Sequence, residues 1–265
     1  MSDAPQVHYE ARDGIAVLTL SAPPANCYSH ALMKSLDEAI LQARFDDEVQ
    51  VVVLVGAGVR FFCAGADISM LASVTPSFKY SFCLHANETL SRLEHTPKLV
   101  IAALNGHCVG GGLEVAMAAD LRIARKGAGT WGLPEVKLGV LPGTGGTQRL
   151  ARLVGHQKAM RWMVEAHTGD FDEALTEGIV DYVYECEPDA FLGRVLEYAR
   201  RFTTPETAAM AVGHIKRAVQ TGGGLPLEQG LALERELQAK LFGSDDAAEG
   251  LDAYMEKRKP RFAGR

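Results

Sequence analysis

Apolar residues in this chain come in runs of two periods. Gly14–Ser21 carries a compact apolar run with glycine before it and Pro23-Pro24 after it, which predicts a strand. Leu32, Leu36, Ala39, Ile40 and Ala43 recur at helical spacing and predict a helix from Ser29 to Arg44. Val49–Val55 is almost continuous valine, the pattern of a strand buried on both faces. A helix follows over Pro76–Glu94, with proline in its first turn. Leu99–Leu104 is then a strand closed by Asn105-Gly106. Strand and helix alternate, so the expected class is α/β.

Further along, Gly110-Gly111-Gly112 opens a short helical run to Ala119, and Asp120–Ala124 reads as a strand. Gly139–Gly146 is a loop, Thr147–Glu165 is helical with a break at Gly155, and Val180–Tyr184 is a last short strand. From Pro188 the pattern is helical: Pro205–Gln220, Pro226–Phe242 and Ser244–Lys257. The change of character near Thr203-Thr204-Pro205 divides the chain into a mixed core, 1–203, and a helical region, 204–265.

Composition narrows the function. A chain of 265 residues with 47% hydrophobic and 23% charged positions buries a substantial core without disulfides or metal. The net charge of −6 argues against a nucleic-acid partner. Five scattered cysteines with no Cys-x-x-Cys pair suit a reducing compartment. Met1–Arg12 is polar and lacks a signal-peptide core, and no run approaches the roughly 18 to 20 apolar residues that span a bilayer. A cytoplasmic protein with no membrane association is expected. Walker, His-Glu-x-x-His and Gly-x-Ser-x-Gly patterns are all missing, and the eight histidines lack metal-ligand spacing. His107 reads as a structural hydrogen-bonding residue.

Three segments carry candidate chemistry. In Phe61-Phe-Cys-Ala-Gly-Ala-Asp-Ile68 the small residues allow a ligand close to the main chain, and Asp67 suits the N-cap of a short helix. A tight strand-to-helix turn with no ligand explains the same residues. In Asn105–Glu114 the triple glycine at a helix start exposes N–H groups to negative charge, or simply permits close helix packing. In Trp131-Gly-Leu-Pro-Glu135, with the glycine-rich Gly139–Arg149 after it, Glu135 alone reads as a surface or capping residue. Apolar and glycine neighbours would instead raise its pKa toward proton-transfer duty.

Together, Phe62–Ile68, Asn105–Glu114 and Pro134–Arg149 resemble the crotonase, or enoyl-CoA hydratase/isomerase, family, and the likeness runs from Gly14 to Phe262. The resemblance implies a crotonase-like fold, a repeated ββα spiral, with residues 204–265 as a helical oligomerisation region for homotrimers or hexamers. It implies an enoyl-CoA hydratase with no tightly bound cofactor, coenzyme A being part of the thioester substrate. Backbone N–H groups at Ala66 and Gly111 match the family's oxyanion hole, and Glu114 and Glu135 match its two catalytic glutamates. Substrate contacts are implied at Asn26, Cys27, Tyr28, Ala64, Asp67, Ile68, Ser69 and Gly143. From a neighbouring subunit's C-terminal region they are implied at Phe242 and Lys257. Trp131 and Leu133 stand where smaller or more polar residues are common, and would reshape the acyl pocket. Ser69 stands where lysine is common. Rival readings are an isomerase working through Glu135 alone, a hydratase for branched or carboxylated enoyl-CoA, an RNA-binding relative, and a thioesterase using Cys63 or Cys108.

Overall fold

Asp13 and Gly14 both take positive φ, 52° and 78°, and fold the chain into a hairpin. Gln6–Arg12 (β1) therefore pairs antiparallel with Ile15–Ser21 (β2), Gln6 opposite Ser21 and Arg12 opposite Ile15. The computed structural model describes residues 4–265. The sequence pattern gives no hint of β1, because it is an exposed edge strand whose polar residues carry little burial signal.

After His30–Phe45 (α1), capped by the Ser29 hydroxyl on the Leu32 N–H, a unit of two strands and a helix recurs. It first appears as Val51–Gly56 (β3), Phe61–Cys63 (β4) and Ile68–Ser73 (α2), with Pro76–Glu94 (α3) appended. It returns as Leu99–Leu104 (β5), His107–Val109 (β6) and Gly111–Met117 (α4). A third copy has Leu121–Arg125 (β7) and Thr130–Gly132 (β8), then a 3-10 turn at Glu135–Leu138 and the helix Gly146–Val154 (α5). His156–Val164 (α6), Thr168–Asp170 (β9), Phe171–Thr176 (α7) and Tyr182–Tyr184 (β10) complete this part.

The first strand of each unit joins a six-stranded sheet ordered β1-β2-β3-β5-β7-β10, and the second joins a four-stranded sheet ordered β4-β6-β8-β9. Repetition of that step is the ββα spiral expected from the resemblance. From β2 to β10 the large sheet is parallel, so each return needs a crossover, which the second strand and its helix supply.

The large sheet is covered on both faces. Val52 and Leu54 of β3 face the main core with α1 and α3, and Val51, Val53 and Val55 face Phe191, Val195 and Ala199 of Pro188–Arg200 (α8). This explains the unbroken valine run: every position is buried, at about 1.5–3 kcal/mol per side chain.

Ala209–Gly222 (α9), Leu227–Phe242 (α10) and Asp245–Glu256 (α11) follow. The helix expected from Pro205 starts at Ala209, because the Glu206 and Thr207 N–H groups turn back onto the Thr203 carbonyl, both at 3.0 Å. Lys216 anchors α9 to the core, 2.8 Å from Asp120 and 3.0 Å from the Lys98 carbonyl. Of the α10 leucines 231, 233, 237 and 241, Leu237 alone is fully buried. The C-terminal tail folds back, with the Ala263 and Gly264 N–H groups donating to the Asp246 carboxylate at 2.6 and 2.9 Å. No helix among the described residues is long and apolar enough to cross a membrane.

Candidate active site

The site begins where short strands end in turns. Beyond β4 the chain reverses at Gly65 (φ 91°). The Tyr28 N–H donates to the Gly65 carbonyl at 2.9 Å, and the Asp67 N–H donates to the Tyr28 carbonyl at 3.1 Å. These bonds bracket Ala66, whose own N–H has no hydrogen-bond partner among the described residues. Asp67 then caps α2 through the N–H groups of Ser69 (2.9 Å) and Met70 (3.3 Å) and the Ser69 hydroxyl (2.8 Å). That hydroxyl, with the backbone donors, lowers the Asp67 carboxyl below its usual range.

Gly110 makes the second turn with φ 55° and ψ −134°, a conformation that excludes side chains. The first N–H of α4, at Gly111, is also without a partner among the described residues. A Cβ placed on Gly65 would lie 3.2 Å from the Gly111 nitrogen, so the two turns touch. Two unpaired N–H groups thus face one cavity.

Both glutamates reach that cavity, in different surroundings. Glu114 is 1% exposed. Its Oε1 accepts the Thr144 and Gly146 N–H groups at 2.8 and 2.7 Å, and its Oε2 accepts the Thr144 hydroxyl. A Cβ at Gly146 would sit 3.0 Å from Oε1, which explains glycine there. Glu135, at the head of the 3-10 turn, lies over Gly110: a Cβ on that glycine would be 3.1 Å from its Oε1. Its Oε2 is buried without a hydrogen bond among the described residues. Burial is the main cause that pushes its pKa up to about 7, with the Glu114 charge adding and Lys79 opposing.

The cavity has a volume of about 310 Å³. Tyr28, Ala64, Ala66, Ile68, Gly111, Glu114, Glu135 and Gly143 all line it. Lys79, Leu71, Leu138, Val140 and Leu141 line it too, and sequence reasoning missed them. It also missed Thr144 behind the wall, whose only signal was its place beside Gly143.

Other expected contacts lie elsewhere. Asn26 is a buried loop clamp: its Oδ1 accepts the Ala22 N–H at 3.2 Å and its Nδ2 donates to the Ala57 and Phe61 carbonyls at 3.0 Å. Trp131 and Leu133 are buried behind the cavity wall instead of shaping it. The Trp131 ring packs 5.0 Å from that of Trp162 and 5.7 Å from His167, because the neighbouring helix α6 offers an aromatic surface. Cys27, half-buried, and Asp67 and Ser69 at the head of α2 flank the wall without lining it. Phe242 is 69% exposed and Lys257 caps α11 with φ 58°, both away from their own chain's cavity. His107 has the structural place expected, its Nδ1 3.0 Å from the Thr130 hydroxyl. Cys63 and Cys108 are buried, which pushes the Cys63 thiol up to about 12 and raises Cys108 as well, so neither is an activated nucleophile. Among the described residues no cluster of His, Cys, Asp and Glu could hold a metal ion.

A two-sheet ββα spiral with two carboxylates and two free N–H groups at one cavity defines an α/β protein equipped for acid–base chemistry on a polarised carbonyl. The family described as enoyl-CoA hydratase/isomerase matches residues 10–265. A short-chain-enoyl-CoA hydratase of Clostridium acetobutylicum is 38% identical over 94% of this chain and 94% of its own length. The mitochondrial methylglutaconyl-CoA hydratase of Mus musculus is 36% identical over 96% of this chain and 81% of its own. A crystal structure of an enoyl-CoA hydratase from Geobacillus kaustophilus superposes with a TM-score of 0.95 at 44% identity, covering 99% of this chain and 98% of that one. The chain belongs to the enoyl-CoA hydratase/isomerase family.

Proposed function

We infer that the chain is a hydro-lyase that adds water across the 2,3 double bond of an enoyl-CoA thioester, and in reverse dehydrates 3-hydroxyacyl-CoA. The observation that carries this reading is the pair of glutamates at one cavity, Glu114 held by donors and Glu135 desolvated with its pKa near 7. The Ala66 and Gly111 N–H groups form an oxyanion hole on the thioester carbonyl oxygen. A water lies between the two carboxyl groups. As its oxygen bonds to Cβ, its proton passes to Glu114 and the double-bond electrons move onto the carbonyl oxygen. Glu135, protonated, then donates its proton to Cα as the carbonyl re-forms. An isomerase needs only one carboxylate, whereas three donors orient a second one here, which favours hydration. Loss of conjugated thioester absorbance on mixing with 2-enoyl-CoA is the expected result. Conversion of 3-enoyl-CoA to the conjugated isomer, with 2-enoyl-CoA untouched, would overturn the reading.

For the acyl tail, a carboxylated chain has a specific observation in its favour: Lys79 and Lys137 both line the cavity, and one relative is a methylglutaconyl-CoA hydratase. A panel of straight-chain and carboxylated enoyl-CoA thioesters tests this. Residues 204–265 form the oligomerisation region of a trimer or hexamer in a reducing cytoplasm. Exposed Ile215, Val219, Phe242 and Tyr254 support the association, and five free cysteines the compartment. The basic residues near Lys257 would reach CoA phosphates of a neighbouring copy. Sedimentation at several concentrations checks the assembly, and a monomer contradicts it.

A further inference from the structure

We propose that Tyr28 is the positioning residue that holds the Ala66 turn, the Gly111 turn and Glu114 in mutual register, acting on Glu114 through the Thr144 hydroxyl. The proposal rests on the hydratase reading and concerns how this chain aligns its reacting groups.

Three separate parts of Tyr28 touch three parts of the site. Its backbone brackets Ala66, taking the Asp67 N–H at 3.1 Å and giving its own to Gly65 at 2.9 Å. Its ring lies against the Gly111 Cα so closely that any Cβ there would overlap it. Phe82 supports the ring from α3, at 5.7 Å between centroids. Its hydroxyl is 3.0 Å from the Thr144 Oγ1, which bonds Glu114 Oε2.

The direction of that chain follows from chemistry. A carboxylate oxygen only accepts, so the Thr144 hydroxyl donates its one proton to Glu114. Its oxygen is then left to accept, and the Tyr28 hydroxyl must be the donor. Burial, and then the Glu114 charge, raise the tyrosine well above its usual pKa and keep it protonated for that role.

Packing alone does not account for the residue. Phenylalanine would fill the same space against Phe82 and Gly111 without the cost of burying a hydroxyl. Tyr28 and Thr144 are 4% and 1% exposed, and among the described residues their hydroxyls lead only to Glu114. Linked hydroxyls of this kind fix a carboxylate rotamer.

The test compares Tyr28→Phe, Thr144→Val, Thr144→Ser and the double variant Tyr28→Phe/Thr144→Val in hydration kinetics, with thermal melting alongside. Tyr28→Phe is expected to lower kcat roughly tenfold and Thr144→Val further, with KM shifted less than about threefold. Thr144→Ser should recover most of the loss. Because both hydroxyls act along one path, the double variant should be no slower than Thr144→Val. Melting losses at wild-type kcat, or additive kcat losses, would overturn the proposal. If the wild type hydrates no enoyl-CoA, the hydratase reading fails separately. The positioning claim is then read from bound acetoacetyl-CoA, whose enolate absorbs in the near ultraviolet. A weaker enolate band in Tyr28→Phe supports it, and equal bands refute it.

Discussion

Glu114 and Glu135 are the same residue type at the same cavity, yet they inhabit opposite regions of it. Around Glu114, the start of α5 and the Thr144 hydroxyl supply three donors, so the carboxylate is locked in one orientation. Around Glu135, one oxygen is buried with nothing to bond, and the charged form is penalised. Hydrogen bonds orient the first and desolvation tunes the second. The difference teaches how two chemically identical groups can be set apart by their surroundings alone, as the proposed acceptor and donor roles require.

The strongest test of that contrast is amide substitution at each position. Both Glu114→Gln and Glu135→Gln should lower hydration by about 10²–10⁴. They should part company in stability. At 114 the Oε2 acceptor becomes an NH₂ donor, so the Thr144 hydroxyl must turn to accept and charge-assisted hydrogen bonds are lost, costing about 1–3 kcal/mol. At 135 it replaces an unpaired acid, and the melting temperature should not fall. Loss of stability at 135 with none at 114 would reverse the comparison.

Next comes Gly111→Ala, whose methyl collides with the Tyr28 ring and displaces the N–H from the cavity. A loss of ~10²–10³ in kcat is expected, with both glutamates retained. Wild-type kcat in this variant would remove Gly111 from the mechanism.

pH dependence reports on Glu135. Hydration needs Glu135 protonated, so its kcat/KM should fall as pH rises through about 7; dehydration, which starts from the same total protonation with the proton on Glu114, should fall with it. Glu135→Gln should lack that limb in either direction. Stability follows the same group: the folded pKa of about 7 lies above the reference 4.5, so unfolding releases a proton between them. The contribution of Glu135 is full below about 4.5 and lost as pH rises through 7, a slope that urea unfolding should show reduced in Glu135→Gln. The smallest effect belongs to Lys79→Met. It removes the charge that opposes the upward shift, and should move the hydration limb to higher pH.

Legibility in the sequence followed element length. The helix predicted over Pro76–Glu94 and the strand over Leu99–Leu104 match α3 and β5 residue for residue, because both are long enough for their period to register. Gly155, read as a break, separates α5 from α6. The strands β4, β6, β8 and β9 went unseen, since three residues hold no period, and together they are the whole small sheet beside which the two turns sit. Thr144 was invisible as a partner of Glu114 because 30 positions separate them. Trp131 looked like a pocket residue from its place near Pro134-Glu135, whereas the side chain belongs to the aromatic cluster with Trp162 and His167.

What the sequence by itself determined was the class of fold and the glycine turns, while the two glutamates were singled out by a family resemblance. Hydrophobic period, forced positive φ and residue type are local properties, written in neighbouring positions. What only the tertiary structure decided was the environment of each glutamate: which carboxylate meets donors, which is left dry, and that Tyr28 reaches both turns and, through Thr144, Glu114. Desolvation and hydrogen bonding depend on atoms brought together from distant parts of the chain, and those meet only when the three repeated units stack.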